Sequence, residues 1–270
     1  LSLGKAIPQK TKETARLVVR RVVEQLLRRL ENRTRQAIRG ALSKAVRNPR
    51  PRLREIDWAS TIRRNLRHYQ ADLQTIIPEQ LVGFGRRGQS LQEVVLCIDQ
   101  SGSMASSVVY SSIFAAVMAS IPALRTQMVV FDTAVVDLTE MLHDPVEVLF
   151  GTELGGGTDI DKALAYVEKI ISNPTRTTLV LVSDLYEGGN SRSMLQRVQN
   201  LVTLGVQCIA LLALDDHGTA SYDRRHAQAF AAMGIPAFAC TPDLFPDLMA
   251  AALMRRDLRQ WMQQNDIVDK

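Results

Sequence analysis

The hydrophobic pattern of the chain changes character near residue 92. Before that point apolar residues recur at helical spacing; after it, solid apolar runs alternate with helical stripes. Val94-Val95-Leu96-Cys97-Ile98 has no polar member, as expected of a strand covered on both faces. Further strand-like runs are Gln127–Phe131, Val135–Leu138, Thr178–Ser183, Val206–Leu212 and Ala237–Ala239. Helical patterns fall between them at Met104–Ile121, Asp159–Ile171, Ser193–Leu204, Tyr222–Met233 and Asp243–Gln263. Strands separated by helices of that length predict βαβ crossovers and a doubly wound, largely parallel α/β sheet over residues 93–270.

Residues 1–92 read as a mainly helical region. Val19, Val22, Val23, Leu26 and Leu30 form one stripe, and Ile38, Ala41, Leu42, Ala45 and Val46 a second. The second stops at Asn48-Pro49-Arg50-Pro51, because two prolines cannot continue a helix. Ala59, Ile62, Leu66 and Tyr69 make a third stripe, with Asp57 placed to cap its start. Leu73–Ile77 and Gln80–Phe84 look extended and predict a hairpin or an added edge strand. Gly83–Gly88 reads as a linker into the second domain.

Charge divides the chain at the same place. Residues 1–92 hold 21 Lys and Arg against 7 Asp and Glu, a net +14, whereas residues 93–270 hold 12 against 21, a net −9. Arginines on the amphipathic helices of this basic arm read first as a solvated face, and next as a surface that packs on the acidic domain or on an acidic partner. Nucleic-acid binding is the alternative for the arm. Against it, only Trp58, Tyr69 and Phe84 could stack on bases, and the acidic domain would repel phosphate.

The remaining composition narrows the classes. No apolar stretch approaches the roughly 20 residues of a membrane span. Leu1 to Lys12 shows no signal-peptide pattern, so the cytoplasm is the expected compartment, and the missing initiator Met predicts a trimmed or fragmentary chain. Cys97, Cys208 and Cys240 are far apart, each in an apolar run, and read as small buried hydrophobes. The four histidines show no ligand spacing with each other or with cysteine, which argues against zinc.

The candidate chemistry lies in three tracts. Asp99-Gln100-Ser101-Gly102-Ser103 follows the first apolar run, Thr158 follows Gly155-Gly156-Gly157, and Asp184 follows Ser183 at the end of another run. In an open α/β sheet, residues just beyond strand carboxyl ends project into the ligand crevice where strand order reverses. Asp99, Ser101, Ser103, Thr158 and Asp184 are all hard oxygen donors. They suit a six-coordinate Mg²⁺ or Mn²⁺ with a position left open. Neither a phosphate-loop lysine nor a dinucleotide fingerprint accompanies the glycines. Asp159 and Asp161 belong to the first turn of their helix, where negative charge is favoured, and are not counted as ligands.

Asp-x-Ser-x-Ser, a distant Thr in Gly-Gly-Thr-Asp and a Ser-Asp after a strand resemble, in order and spacing, the metal-ion-dependent adhesion site of von Willebrand factor A (VWA) domains. The resemblance implies a Rossmann-like fold over about residues 93–265. It also implies metal contact through Ser101, Ser103 and, in a high-affinity state, Thr158. Asp99 and Asp184 would act directly or through water, and the open position would take a partner's carboxylate. Ile-Arg-Arg-Asn-Leu-Arg-His-Tyr at 62–69 and Ile-Pro-Glu at 77–79 are similar to the lead-in of the bacterial, intracellular CoxE-like branch. Such proteins work beside MoxR-type AAA+ ATPases in maturing complexes. Gln100 departs from the usual apolar residue. These expectations describe a non-enzymatic adaptor. The competing reading, a metal-dependent hydrolase, lacks an Asp-x-Asp acceptor pair and a His or Lys base in the site tracts.

Overall fold

The computed structural model describes residues 31–40, 47–48, 51, 53, 56–84, 92–101, 105–121, 124–150, 156–212 and 221–265. The Val19–Leu30 stripe and Ser103 therefore lie outside the described residues, as do Ala41 to Val46 of the second stripe. Residues 31–40 are helical (α1). The next elements are β1 (Arg47–Asn48), α2 (Trp58–Arg64), β2 (Tyr69–Gln70), β3 (Thr75–Ile76) and β4 (Gly83–Phe84). Asp57 caps α2 as its position suggests, its Oδ1 accepting the Ser60 N–H at 3.1 Å. The expectation for 73–84 needs correction. β3 pairs antiparallel with β2, and β4 with β1, so the two extended segments form no hairpin together. Neither joins the main sheet. Gly83 and Phe84 of the expected linker are strand, and its residues 85–88 lie outside the described residues.

The α/β unit follows as β5 (Gln92–Asp99), α3 (Ala105–Ala119), β6 (Leu124–Phe131), β7 (Val135–Asp137), α4 (Pro145–Phe150), α5 (Ile160–Ile170), β8 (Thr177–Ser183), α6 (Ser191–Thr203), β9 (Gln207–Leu212), α7 (Arg224–Ala232), β10 (Ala237–Ala239), α8 (Phe245–Leu253) and α9 (Leu258–Gln264). The six strands lie in the order β10-β9-β8-β5-β6-β7, all parallel except β7, which runs antiparallel to β6 at one edge. The chain therefore steps outward from β5 through β6 to β7, then crosses back to β8 on the other flank. That reversal opens a crevice beyond the carboxyl ends of β5 and β8.

The solid apolar runs are explained by burial on both sides. Val94, Leu96 and Ile98 face one core with α3, α4, α8 and α9; Val95 and Cys97 face a second with α5, α6 and α7. Ile38 of α1 is fully buried in the first core. Arg33 of α1 pairs with Asp247 of α8 at 2.9 Å, and Arg35 donates to the Ser120 hydroxyl at 3.0 Å. Part of the basic region thus packs on the acidic unit.

Two helical expectations differ. α4 is short and was carried by no clear stripe. The last helix is two, because Arg255 takes a left-handed φ of 53° between α8 and α9, and Asp257 starts α9 as a new cap. The other boundaries agree to within a few residues. Among the described residues no helix is long and apolar enough to cross a membrane.

Candidate functional site

β5 ends on Asp99, whose residue is 0% exposed. Its Oδ1 accepts the Ser101 N–H at 2.8 Å, a side-chain turn that brings Ser101 back over the strand end. Its Oδ2 accepts the Ser183 hydroxyl at 2.8 Å from the end of the neighbouring strand β8. Burial pushes the Asp99 carboxyl above its usual range, and the negative charge of Asp184 pushes the same way; hydrogen bonds from Ser101 and Ser183 oppose both. Asp184 directly follows β8, which pairs with β5, so a second carboxylate leaves the same end of the sheet.

Asp184 leads into a tight turn. Its Oδ1 accepts the Tyr186 N–H at 3.2 Å and its carbonyl accepts the Asp223 N–H at 2.9 Å. Between them Leu185 takes φ 62°, a conformation that disfavours a branched side chain. Leu185 is fully buried, and its N–H donates to the Ser183 Oγ at 3.0 Å. Ser183 thus links Asp99 to the turn behind Asp184 with a single hydroxyl.

Thr158 lies in the short segment before α5. Its carbonyl accepts the Gly188 N–H at 2.8 Å. Glu187 reaches over the start of α5, its Oε2 accepting the Ile160 N–H at 2.7 Å. Burial raises the Glu187 carboxyl above its ordinary range, Asp159 adds to that, and the Ile160 N–H opposes it. Asp159 caps α5 by accepting the Lys162 N–H at 2.9 Å, and Asp161 pairs with Arg197 at 2.8 Å. Asp159 is thus the cap of α5 and Asp161 lies in its first turn, so both serve the helix start.

Asp99, Ser101, Thr158 and Asp184 all sit at the carboxyl end of the sheet or in the loop beside it. Asp99 is linked directly to Ser101 and, through the Ser183 hydroxyl, to the turn that Asp184 opens, whereas Thr158 is joined by its backbone carbonyl to Gly188. Three contributors carry no motif signal: Asp132 after β6, Glu187 and Gly188. Only the position of Asp132 at a strand end points to it in advance, whereas Ser183 belongs to the Ser-Asp tract. Among the described residues no three His, Cys, Asp or Glu side chains gather as a metal cluster. A cation here would draw its further ligands from hydroxyls, which fits the Ser and Thr in the donor set. Burial pushes the Cys208 and Cys240 thiols up to about 12 and Cys97 higher still, so none is a ready thiolate ligand.

The largely parallel six-stranded sheet flanked by helices is the Rossmann-like fold of a von Willebrand factor A domain. The family model for VWA domain containing CoxE-like proteins matches residues 26–249, and the chain belongs to that family. It is 41% identical over 230 residues to the uncharacterized protein YehP of Escherichia coli (strain K12), covering 84% of this chain. The match spans 61% of that relative's length. Among solved structures, the von Willebrand factor type A protein from Catenulispora acidiphila is 14% identical with a TM-score of 0.48, over 61% of this chain and 43% of that one. The ArnB paralog VWA2 from Sulfolobus acidocaldarius is 20% identical with a TM-score of 0.41, over 63% and 47%.

Proposed function

We propose that this protein is a metal-dependent protein-interaction module. Asp99, Ser101, Ser103, Thr158 and Asp184 hold Mg²⁺ or Mn²⁺, and a carboxylate from an acidic residue of a partner completes the site. The observation that carries this reading is Asp99: a fully buried carboxylate beside a second carboxylate, each of its oxygens already oriented by one hydrogen bond. Burying a carboxylate near a second negative charge is costly unless positive charge joins them. A bound divalent cation supplies that charge and an open position for an oxygen ligand. The chain's own residues do the orienting: the Ser101 N–H and the Ser183 hydroxyl fix the carboxylate plane of Asp99. The Tyr186 N–H fixes that of Asp184.

Family membership supports an interaction module in place of an enzyme. The partner proposed is a MoxR-type AAA+ ATPase, with this chain as adaptor to a substrate complex. Titration calorimetry of Mg²⁺ and Mn²⁺ into the metal-stripped protein tests the first half. Uptake by the wild type and none by Ser101→Ala/Ser103→Ala is expected; equal behaviour of the two overturns it. Capture of the ATPase should then be lost with EDTA and in Asp99→Ala. Capture that survives both sinks the adaptor reading.

A further inference from the structure

Asp132 stands next to the site without belonging to its donor set. It directly follows β6, and Phe131 is the parallel-sheet partner of Asp99, so the two aspartates leave adjacent strand ends. Asp132 is only 5% exposed. Its Oδ1 accepts the Ala134 N–H at 2.6 Å, which closes its own turn. Its Oδ2 accepts the Gly156 N–H at 3.1 Å, and its carbonyl accepts the Asp159 N–H at 2.8 Å. One residue therefore grips the chain two positions before Thr158 and one position after it.

The approach of the two segments is tight. A Cβ on Gly156 would stand 3.1 Å from Asp132 Oδ2 and 3.1 Å from Thr133 Oγ1. Lys162 of α5 adds a further tie, its Nζ donating to the Thr133 carbonyl at 2.8 Å. An aspartate suits the task better than a hydroxyl or amide, because an ionised acceptor makes shorter, stronger bonds to backbone N–H groups and serves two of them at once.

We infer that Asp132 is the positioning residue for Thr158: it holds the Thr158 segment in its site-facing place and acts on the cation only through that threonine. The inference rests on the metal-dependent reading above. A loop ordered in advance loses little further freedom when it binds, so affinity is higher than for a loose loop with the same ligands. Residues that orient metal ligands in this way contribute about 10- to 100-fold in affinity.

Mg²⁺ titration of single and double variants tests this. Asp132→Ala should weaken Mg²⁺ by about 10- to 100-fold. Asp132→Asn, which keeps one acceptor oxygen, should fall between Ala and the wild type. Asp132→Ala/Thr158→Ala should bind no more weakly than Thr158→Ala alone, whereas the effects of Asp132→Ala and Ser101→Ala should multiply. Losses from Asp132 and Thr158 that multiply would show Asp132 acting independently and would overturn the inference. A wild type that takes up no Mg²⁺ defeats the metal-dependent reading instead, and the holding role is then read without cation by hydrogen exchange. The peptide spanning residues 156–161 should exchange about tenfold faster in Asp132→Ala with the near-ultraviolet circular dichroism unchanged. Unchanged exchange there overturns the inference even so.

Discussion

Gly188 donates its N–H to the Thr158 carbonyl at 2.8 Å, and a Cβ added to Gly188 would stand only 2.7 Å from that same oxygen. The contact joins the loop after Asp184 to the loop that carries Thr158, and it exists because residue 188 has no side chain. The obstacle is backbone, which cannot swing aside as a flexible side chain would. Gly188→Ala should therefore push the two loops apart. A loss of about 1–3 kcal/mol is expected in urea unfolding, the usual cost of overpacking. Mg²⁺ affinity should fall with it. A variant as stable as the wild type would show that the loops slide freely past one another.

Ser183 holds a different seam. Its hydroxyl donates to Asp99 Oδ2 at 2.8 Å and accepts the Leu185 N–H at 3.0 Å, with Ser183 and Asp99 both fully buried. Ser183→Ala leaves a carboxylate oxygen and a backbone N–H short of their partner among fully buried residues. The cost should be about 1–3 kcal/mol by urea unfolding. Ser183→Thr keeps the hydroxyl and should recover part of it. If Ala and Thr are equally stable, the seam contributes nothing.

How much of this was legible depended on whether a signal was local. The β5 run Val94–Ile98 is unbroken because both faces are covered, so it could be read directly. Asp57 and Asp159 carry their capping roles in residue type and position, and the strand-end places of Asp99 and Asp184 follow from the apolar runs before them. The break between α8 and α9 was hidden because it rests on a left-handed Arg255 instead of a glycine or proline. That conformation is held by tertiary hydrogen bonds, the Arg255 guanidinium reaching the carbonyls of Thr175 at 2.6 Å and Gly205 at 3.3 Å. The pairing of β3 with β2 and β4 with β1 was equally hidden, since two-residue strands have no periodicity to read. Asp132 and Glu187 look like ordinary loop carboxylates until the fold shows which N–H groups they accept.

At the opposite end of the sheet, Glu93 opens a pH dependence. Its Oε2 accepts the N–H groups of Ser172 and Asn173, both at 3.2 Å, and the Thr177 hydroxyl at 3.0 Å, while Arg125 meets Oε1 at 3.1 Å. Burial alone would raise this carboxyl; the Asn173 N–H, the Thr177 hydroxyl, the Ser172 N–H and Arg125 outweigh it and hold it below its ordinary 4.5. A depressed carboxyl contributes stability that is present above the unfolded value and is lost as pH falls through the folded one. Urea midpoints of the wild type should therefore decline below about pH 4.5 more steeply than those of Glu93→Gln, which has no carboxyl to protonate. Parallel declines would mean that Glu93 gains nothing from being charged.

Helix α2 presents its polar groups inward and its apolar ones outward. Asn65 is 2% exposed, and its amide is fully used. Nδ2 donates to the carbonyls of Thr61 at 2.7 Å and Gln80 at 2.8 Å; Oδ1 accepts the N–H groups of Glu79 at 3.1 Å and Gln80 at 3.2 Å. Thr61 adds an exchange with Val82, donating to its carbonyl at 3.1 Å and accepting its N–H at 3.0 Å. Trp58, Ile62 and Leu66 meanwhile stay 53%, 45% and 59% exposed, so apolar burial contributes little here. The segment from Asp57 to Val82 is thus held by hydrogen bonds, and Asn65 is its hub. Asn65→Ala strands the Gln80 carbonyl and two N–H groups, while the Thr61 carbonyl keeps the N–H of residue 65, at a cost of about 1–3 kcal/mol. That cost should appear as local opening, because the sheet draws its stability from the two cores described above. Limited trypsin digestion should then cut at Arg63, Arg64 and Arg67 several-fold faster, with the urea midpoint of the sheet unchanged. Asn65→Asp, which removes both donors and buries a charge, should open further. Cleavage at the wild-type rate, or a midpoint that falls in step with it, would refute a hub confined to this segment.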